Sequence, residues 1–115
     1  MLFMVLFEDI YAERPDLPPE RARLMPDHLA FLERHAGTVV ASGALRDAPD
    51  GPPLGGVWIV NAPDRAAVEA LNREDPFWRA GLRRSVRVHH WAKAVWSAPF
   101  AACMETLDTA PSRPG

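Results

Sequence analysis

Hydrophobic residues run without interruption through the first seven positions, Met1 to Phe7, and stop at Glu8-Asp9. The run is too short for a buried helix and does not alternate, so it predicts a strand over residues 2–8 that is apolar on both faces. Residues 38–45 and 56–60 predict a second and a third strand. From Ser85 to Trp96 polar and apolar positions alternate, which predicts a last strand with two different faces.

Two helices are predicted between these strands. Proline is favourable at the first helical position, so the first helix begins near Leu17-Pro18-Pro19-Glu20. Pro26 lacks an amide donor and predicts an interruption, after which the helix resumes over Asp27–Ala36. Asp64 is a suitable N-cap for the second helix, and Asp75-Pro76 ends that helix or opens a short turn.

The resulting order, βαββαβ, predicts an α+β fold: a ferredoxin-like sandwich with both helices on one face of an antiparallel sheet. The first and third strands are apolar on both sides, yet two helices shield only one face. The simplest way to cover the other face is a second copy of the same chain. We therefore expect a homodimer whose sheets pack together in a dimeric α+β barrel.

Composition narrows the class of protein. The chain has 115 residues, 48% of them hydrophobic and 24% charged, which predicts one globular domain without general disorder or a membrane span. We place this domain at residues 1–96, with a partly mobile tail at 97–115. A net charge of -2 lacks the positive excess that is typical of nucleic-acid-binding proteins. The apolar start is too short for a signal peptide, and Cys103 is the single cysteine, so a cytoplasmic location is the default expectation.

His28 and Asp75 are the main candidates for catalytic residues. A histidine side chain titrates near neutral pH, and a carboxylate can hold one of its ring nitrogens and raise its basicity. If the fold brings the two together, they form a proton-transferring pair. The alternative for His28 is a packed or capping histidine, at about even odds. For Asp75 the alternative, a helix terminator in a local turn, is favoured by the residues alone.

Other side chains are candidates for substrate binding. Phe77 and Trp78 are packing residues or walls of an apolar pocket around His28 and Asp75. Ser42 is a possible hydroxyl donor, although Ser-Gly in a strand more often marks a bulge. Arg21 could contact an anionic ligand or lie on a solvated basic face. A basic patch at the last strand is expected to be surface only; it consists of Arg83, Arg84 and Arg87.

The remaining histidines are expected to have lesser roles. His35 is interpreted as a solvated residue at the helix end. His89 and His90 are adjacent in a strand and point to opposite faces, so one is expected to line the cleft. A metal site from His28, Asp75 and one of these two has no local ligand motif and is not predicted. Nucleotide, nicotinamide and acyl-hydrolase motifs do not occur, and no cofactor is predicted.

The chain resembles the YCII-like family of small dimeric α+β-barrel proteins over residues 1–96. The resemblance depends on the order and spacing of several short motifs: Pro26-Asp27-His28-Leu29 with Leu32, Ser42-Gly43, Gly51, Gly55-Gly56, Asp75-Pro76-Phe77, Ala80-Gly81-Leu82 and a last strand reaching Trp91. Met25 and Ala44 depart from the pattern, where some relatives carry arginine and proline.

The resemblance implies a ferredoxin-like protomer, dimerisation through the sheets, and an active site at His28 and Asp75. One branch of the family is similar to cofactor-free dehydrochlorinases that act on chlorinated hydroxyquinols. We therefore expect general acid/base chemistry, an elimination or isomerisation, on a small aromatic or cyclic organic molecule. The alternatives are a non-catalytic small-ligand or scaffold module and, more weakly, haem or metal binding in the barrel.

Overall fold

The computed structural model describes residues 1–10, 17–92, 94, 95, 97–99 and 102. The predicted order of strands and helices is confirmed, with one additional short helix before the last strand. The elements are β1 (Leu2–Asp9), α1 (Leu17–Arg34), β2 (Val39–Leu45), β3 (Gly55–Asn61), α2 (Arg65–Arg73), α3 (Pro76–Arg79) and β4 (Arg83–His90). Most of the predicted tail, residues 97–115, lies outside the described residues.

The four strands form one antiparallel sheet in the order β2-β3-β1-β4. In its centre Val5 pairs with Trp58 on one side and with Val88 on the other. These three residues share the sheet face on which the helices pack, and they join Phe31 of α1 and Val68 of α2 in a single core cluster. The α+β, ferredoxin-like fold and the placement of both main helices on one face are therefore as predicted.

Helix α1 does not break at Pro26, contrary to the sequence prediction. It runs from Leu17 to Arg34 with the proline inside it. Proline removes one backbone hydrogen bond from the helix. Apolar contacts on both sides of it outweigh this loss, because Leu24 and Met25 pack against Phe77 while Phe31 is fully buried in the main core. The unbroken helix fixes the position of His28 relative to the core.

Strand β4 begins earlier and ends earlier than predicted. It ends at His90 rather than Trp96, because β1 begins at Leu2 and offers no partner beyond it: Trp91 N–H donates to the Leu2 carbonyl at 2.9 Å. It begins at Arg83, where the pairing with β1 shifts by one residue between Glu8 and Asp9. This β-bulge reverses which side chains face the helices at that end of the sheet.

The sheet face opposite the helices carries a row of half-buried apolar side chains. Met4 and Leu6 of β1 and Val57 and Ile59 of β3 alternate with the core residues of their strands. Helices α1, α2 and α3 do not cover this surface, which we call the uncovered face. None of the described helices has the length and apolar character needed to cross a membrane.

Candidate functional site

His28 and Asp75 are in direct contact. His28 Nδ1 lies 2.7 Å from Asp75 Oδ1. The residues are 7% and 0% exposed, respectively, so the contact is buried. A carboxylate only accepts hydrogen bonds, which requires the proton on Nδ1 and leaves the lone pair of the neutral ring on Nε2. The contact therefore selects the tautomer in which Nε2 can act as a base.

Asp75 is placed by the start of α3. It is the N-cap of that helix, with Pro76 in the first turn, and its Oδ1 also accepts from the Phe77 backbone N–H at 3.4 Å. The Asp-Pro pair therefore marks the start of a short helix, which is one of the local roles expected for these two residues. The short helix packs against α1, which brings the carboxylate to His28.

Phe77 supports the His28 ring from one side. The two rings are stacked, with centroids 4.0 Å apart and an angle of 12° between their planes. Phe77 is 2% exposed, so its ring excludes water from that face of the imidazole. The orientation of His28 is consequently fixed by a hydrogen bond in the ring plane and by an apolar contact above it.

Arg83 is a buried partner of Asp75 and not a surface residue, which corrects the sequence prediction. Its Nε lies 3.4 Å from Asp75 Oδ2, and its side chain is 5% exposed. The guanidinium carbon also lies 3.8 Å from the centroid of the Phe7 ring. The N–H direction does not satisfy a hydrogen bond, so this contact is an ion pair only. Burial lowers the pKa of Arg83, an effect opposed by Asp75 and Asp9.

A second ion pair lies beside the first. Arg21 Nε of α1 is 3.6 Å from Asp9 Oδ2, at the end of β1. Burial raises the pKa of Asp9, although Arg83 and Arg21 act in the opposite direction. Burial lowers the pKa of Arg21, against the attraction of Asp9. The two carboxylates and two guanidiniums therefore form one partly desolvated network behind His28.

A cavity of about 210 Å³ opens beside this network between α1 and strands β2 and β3. His28, Arg83 and Trp58 are buried, whereas Leu29 and Ser42 are exposed, so the cavity has a buried floor and an open rim. Its charged side chains are all basic. The residues that line it are Arg21, Met25, His28, Leu29, Leu32, Ser42, Gly43, Ala44, Arg46, Gly56, Trp58 and Arg83.

The structure gathers some of the predicted site residues and not others. His28, Arg21 and Ser42 line the cavity, and Asp75 and Phe77 lie directly behind His28. Trp78 is half-buried and does not line it, because the short helix turns only Phe77 toward His28. Neither His89 nor His90 lines it either, which corrects that expectation. His90 contacts Phe3 at the far end of the sheet.

Arg83 is the functional candidate that sequence reasoning missed. Counting alternate positions back from Val88 and Val86 places Arg84 toward the helices and Arg83 away from them. The bulge reverses this, so that Arg84 is exposed and pairs with Glu8 at 3.0 Å. One signal was available: if Asp75 is buried, its carboxylate needs a nearby cation. This need points to an arginine of the last strand but does not select among Arg83, Arg84 and Arg87.

The described residues contain no group of three or more histidine, cysteine, aspartate or glutamate side chains arranged to hold a metal ion. The polar groups around the cavity are instead guanidinium donors and the His28 imidazole, which suit an anionic or hydrogen-bonding organic ligand.

The fold and the site define the class of protein: a ferredoxin-like α+β protein with a buried histidine–aspartate pair at the floor of a small basic cavity. The chain belongs to the family of YCII-related domains, whose sequence profile matches residues 1–92. This confirms the resemblance seen in the sequence. No curated protein sequence matches the chain at a significant level.

Among solved structures, the chain is similar to 5-chloro-2-hydroxyhydroquinone dehydrochlorinase (TftG) from Burkholderia phenoliruptrix AC1100, in a complex with 2,5-dihydroxybenzoquinone. The sequences are 28% identical, the match covers 82% of this chain and 96% of the other, and the TM-score is 0.70. That neighbour is thus an elimination enzyme that binds a small six-membered-ring compound.

Proposed function

We propose that this protein is a cofactor-free enzyme that uses His28 as a general base and acid on a small aromatic or cyclic organic molecule. The observation that carries the proposal is the buried 2.7 Å contact between His28 Nδ1 and Asp75 Oδ1 at the floor of the cavity. The similarity to a dehydrochlorinase supports elimination as the reaction type. Isomerisation by the same proton transfer is the close variant.

The chemistry fits the groups that are present. Loss of HCl from a chlorinated hydroxyhydroquinone removes two hydroxyl protons, delivers one proton to the ring carbon that loses chloride, and leaves a hydroxybenzoquinone, so it needs neither an external oxidant nor an external reductant. His28 Nε2 would take a hydroxyl proton and return it to that ring carbon, while Asp75 stabilises the intervening imidazolium. A positioned acid/base group contributes roughly 10²–10⁴-fold to a rate. This contribution suffices for a substrate whose hydroxyl groups are already acidic.

Chloride release from 5-chloro-2-hydroxyhydroquinone tests the proposal. We expect turnover by the wild-type protein above a protein-free control, and a loss of about 100-fold or more in His28→Ala. His35→Ala is the matched control, because His35 lies on the turn after the same helix and contacts Phe31 rather than the cavity. Undiminished turnover in His28→Ala would reject the assigned base. Wild-type release equal to the protein-free rate would reject dehydrochlorination of this compound.

A non-catalytic ligand-binding or scaffold module is the second candidate. It is favoured by the structural tasks of Asp75, which caps α3 and neutralises buried Arg83. In that case His28→Ala and Asp75→Asn would lower the melting temperature without any loss of turnover, since there would be none to lose. Affinity for 2,5-dihydroxybenzoquinone, measured by calorimetry, would then change little in His28→Ala.

We also propose that two chains pair through their uncovered faces. The half-buried row of Met4, Leu6, Val57 and Ile59 supports this, because a contiguous apolar surface on a sheet favours cover by another protein surface. A sheet-to-sheet pair would leave each cavity on the helix side of its own protomer. The assembly would then act as a rigid support for two separate sites.

A further inference from the structure

The cavity carries more positive charge than its neighbours neutralise. Arg21, Arg46 and Arg83 line it together with His28, and no aspartate or glutamate among the described residues does. The carboxylates of Asp9 and Asp75 lie behind the lining, on the far side of the guanidinium and imidazole groups that they contact. A ligand in the cavity therefore meets cationic donors first.

Arg83 is the most buried of these three arginines, and its hydrogen-bond donors are incompletely satisfied. Its Nε and Nη1 are buried and donate no hydrogen bond to any residue in the described part of the chain. Leaving a buried charged donor without an acceptor is costly, so an acceptor supplied by a ligand would be bound strongly. Gly56 leaves room beside it, since a Cβ there would come within 3.5 Å of Arg83 Nη1.

The size and the apolar walls of the cavity define the rest of the ligand. An apolar cavity of about 150 Å³ takes up benzene, so the volume of about 210 Å³ found here suits a single ring with one or two polar substituents. Met25, Leu29, Leu32 and Trp58 provide the apolar contacts. Larger fused-ring molecules would extend past the rim.

We propose that Arg83 is a specificity-determining residue, whose guanidinium binds an ionised oxygen of a single-ring ligand such as a phenolate or a carboxylate. This inference rests on the proposed function, since it names the class of ligand for the same site. The anionic oxygen sits at Arg83 and the ring beside Trp58, and His28 is left to exchange a proton with the ligand. In an ionised phenolic substrate, the oxygen already donates electron density into the ring, which favours elimination.

Benzoate and benzamide are suitable probes, because they have nearly the same shape and differ in charge. We expect the wild-type protein to bind benzoate more tightly than benzamide, by calorimetry, on the order of ten- to a hundredfold. Arg83→Gln should abolish this preference. Arg84→Gln, which removes the same charge one residue away on the exposed face, should keep it. In spectra of the arginine Nε–H groups, benzoate should shift the Arg83 signal.

Three results would overturn the assignment: equal binding of the two probes by the wild-type protein, binding of neither, or an undiminished preference for benzoate in Arg83→Gln. If Arg83→Gln does not fold, Arg83→Lys keeps the charge but loses the planar fork, and it should weaken benzoate binding at unchanged benzamide binding. His28→Ala should keep the preference. Failure of the catalytic proposal is therefore distinguishable from failure of this one.

Discussion

Asp75 combines three contacts in one side chain. It accepts from His28 Nδ1, it caps α3 through the Phe77 N–H, and it faces Arg83 as a counter-charge. The last two stabilise the start of α3 and the buried charge of Arg83. The first is the one that gives His28 a defined tautomer, so the same carboxylate links the stability of the fold to the chemistry of the site.

Asp75→Asn separates charge from hydrogen bonding. An asparagine oxygen can still cap the helix and accept from His28, but Arg83 loses its buried counter-charge. We expect the free energy of unfolding, from urea denaturation, to fall by about 3 kcal/mol. Glu8→Gln is the control, since the Glu8–Arg84 pair is exposed and should contribute little. Equal stability of Asp75→Asn and wild type would show that Arg83 does not depend on this carboxylate.

The pKa values of two adjacent carboxyl groups should be shifted in opposite directions. Burial raises the pKa of Asp9 above the ordinary 3.8, whereas hydrogen bonds from Ser85 and Arg84 lower the pKa of Glu8 below the ordinary 4.5. Asp9 therefore contributes stability at low pH that is lost as pH rises through its raised pKa. Glu8 contributes stability that is lost as pH falls through its lowered pKa. Carboxyl ¹³C NMR titration measures both, and an Asp9 pKa below the ordinary 3.8 would contradict the burial of the Asp9–Arg21 pair.

At the scale of elements, the close approach of β3 to β1 depends on Gly55. A Cβ on Gly55 would overlap the Phe7 carbonyl oxygen, so the two strands could not keep their spacing. We expect Gly55→Ala to lower the free energy of unfolding by roughly 2–3 kcal/mol. Gly37→Ala is the control, because a Cβ there meets no atom within 4 Å and should not destabilise the protein. Equal melting temperatures of the two variants would exclude this packing constraint.

Element order was predictable, because apolar runs and caps are local signals. The active-site role of Asp75 was suggested by the family resemblance, since the residues alone favoured a local turn. Asp64 does cap α2, accepting from the Ala67 N–H at 2.8 Å. The features that the sequence did not reveal depend on contacts between elements. Core packing carries α1 through Pro26, the start of β1 ends β4 at His90, and a bulge turns Arg83 inward. A one-residue shift in pairing cannot be read from the alternation of polar and apolar residues along the strand.

At the scale of the whole molecule, the uncovered face leads to a prediction about assembly. We expect a mass by light scattering of twice the 12.8 kDa of one chain at micromolar concentration. Ile59→Lys places a charge in the centre of that face and should give a monomer. Ala70→Lys adds the same side chain on the exposed side of α2 and should remain dimeric. A wild-type mass of one chain would refute the sheet-to-sheet pair.

The central claim is that Asp75 holds His28 with its Nε2 lone pair available to a ligand in the cavity. Long-range ¹H–¹⁵N NMR of the imidazoles measures this most directly, with His35, His89 and His90 as internal references. At a pH where the rings are neutral, we expect the His28 proton on Nδ1 and a change at Nε2 when 2,5-dihydroxybenzoquinone is added. A proton on Nε2 in the free protein, or an Nε2 signal that the compound leaves unchanged, would contradict the claim.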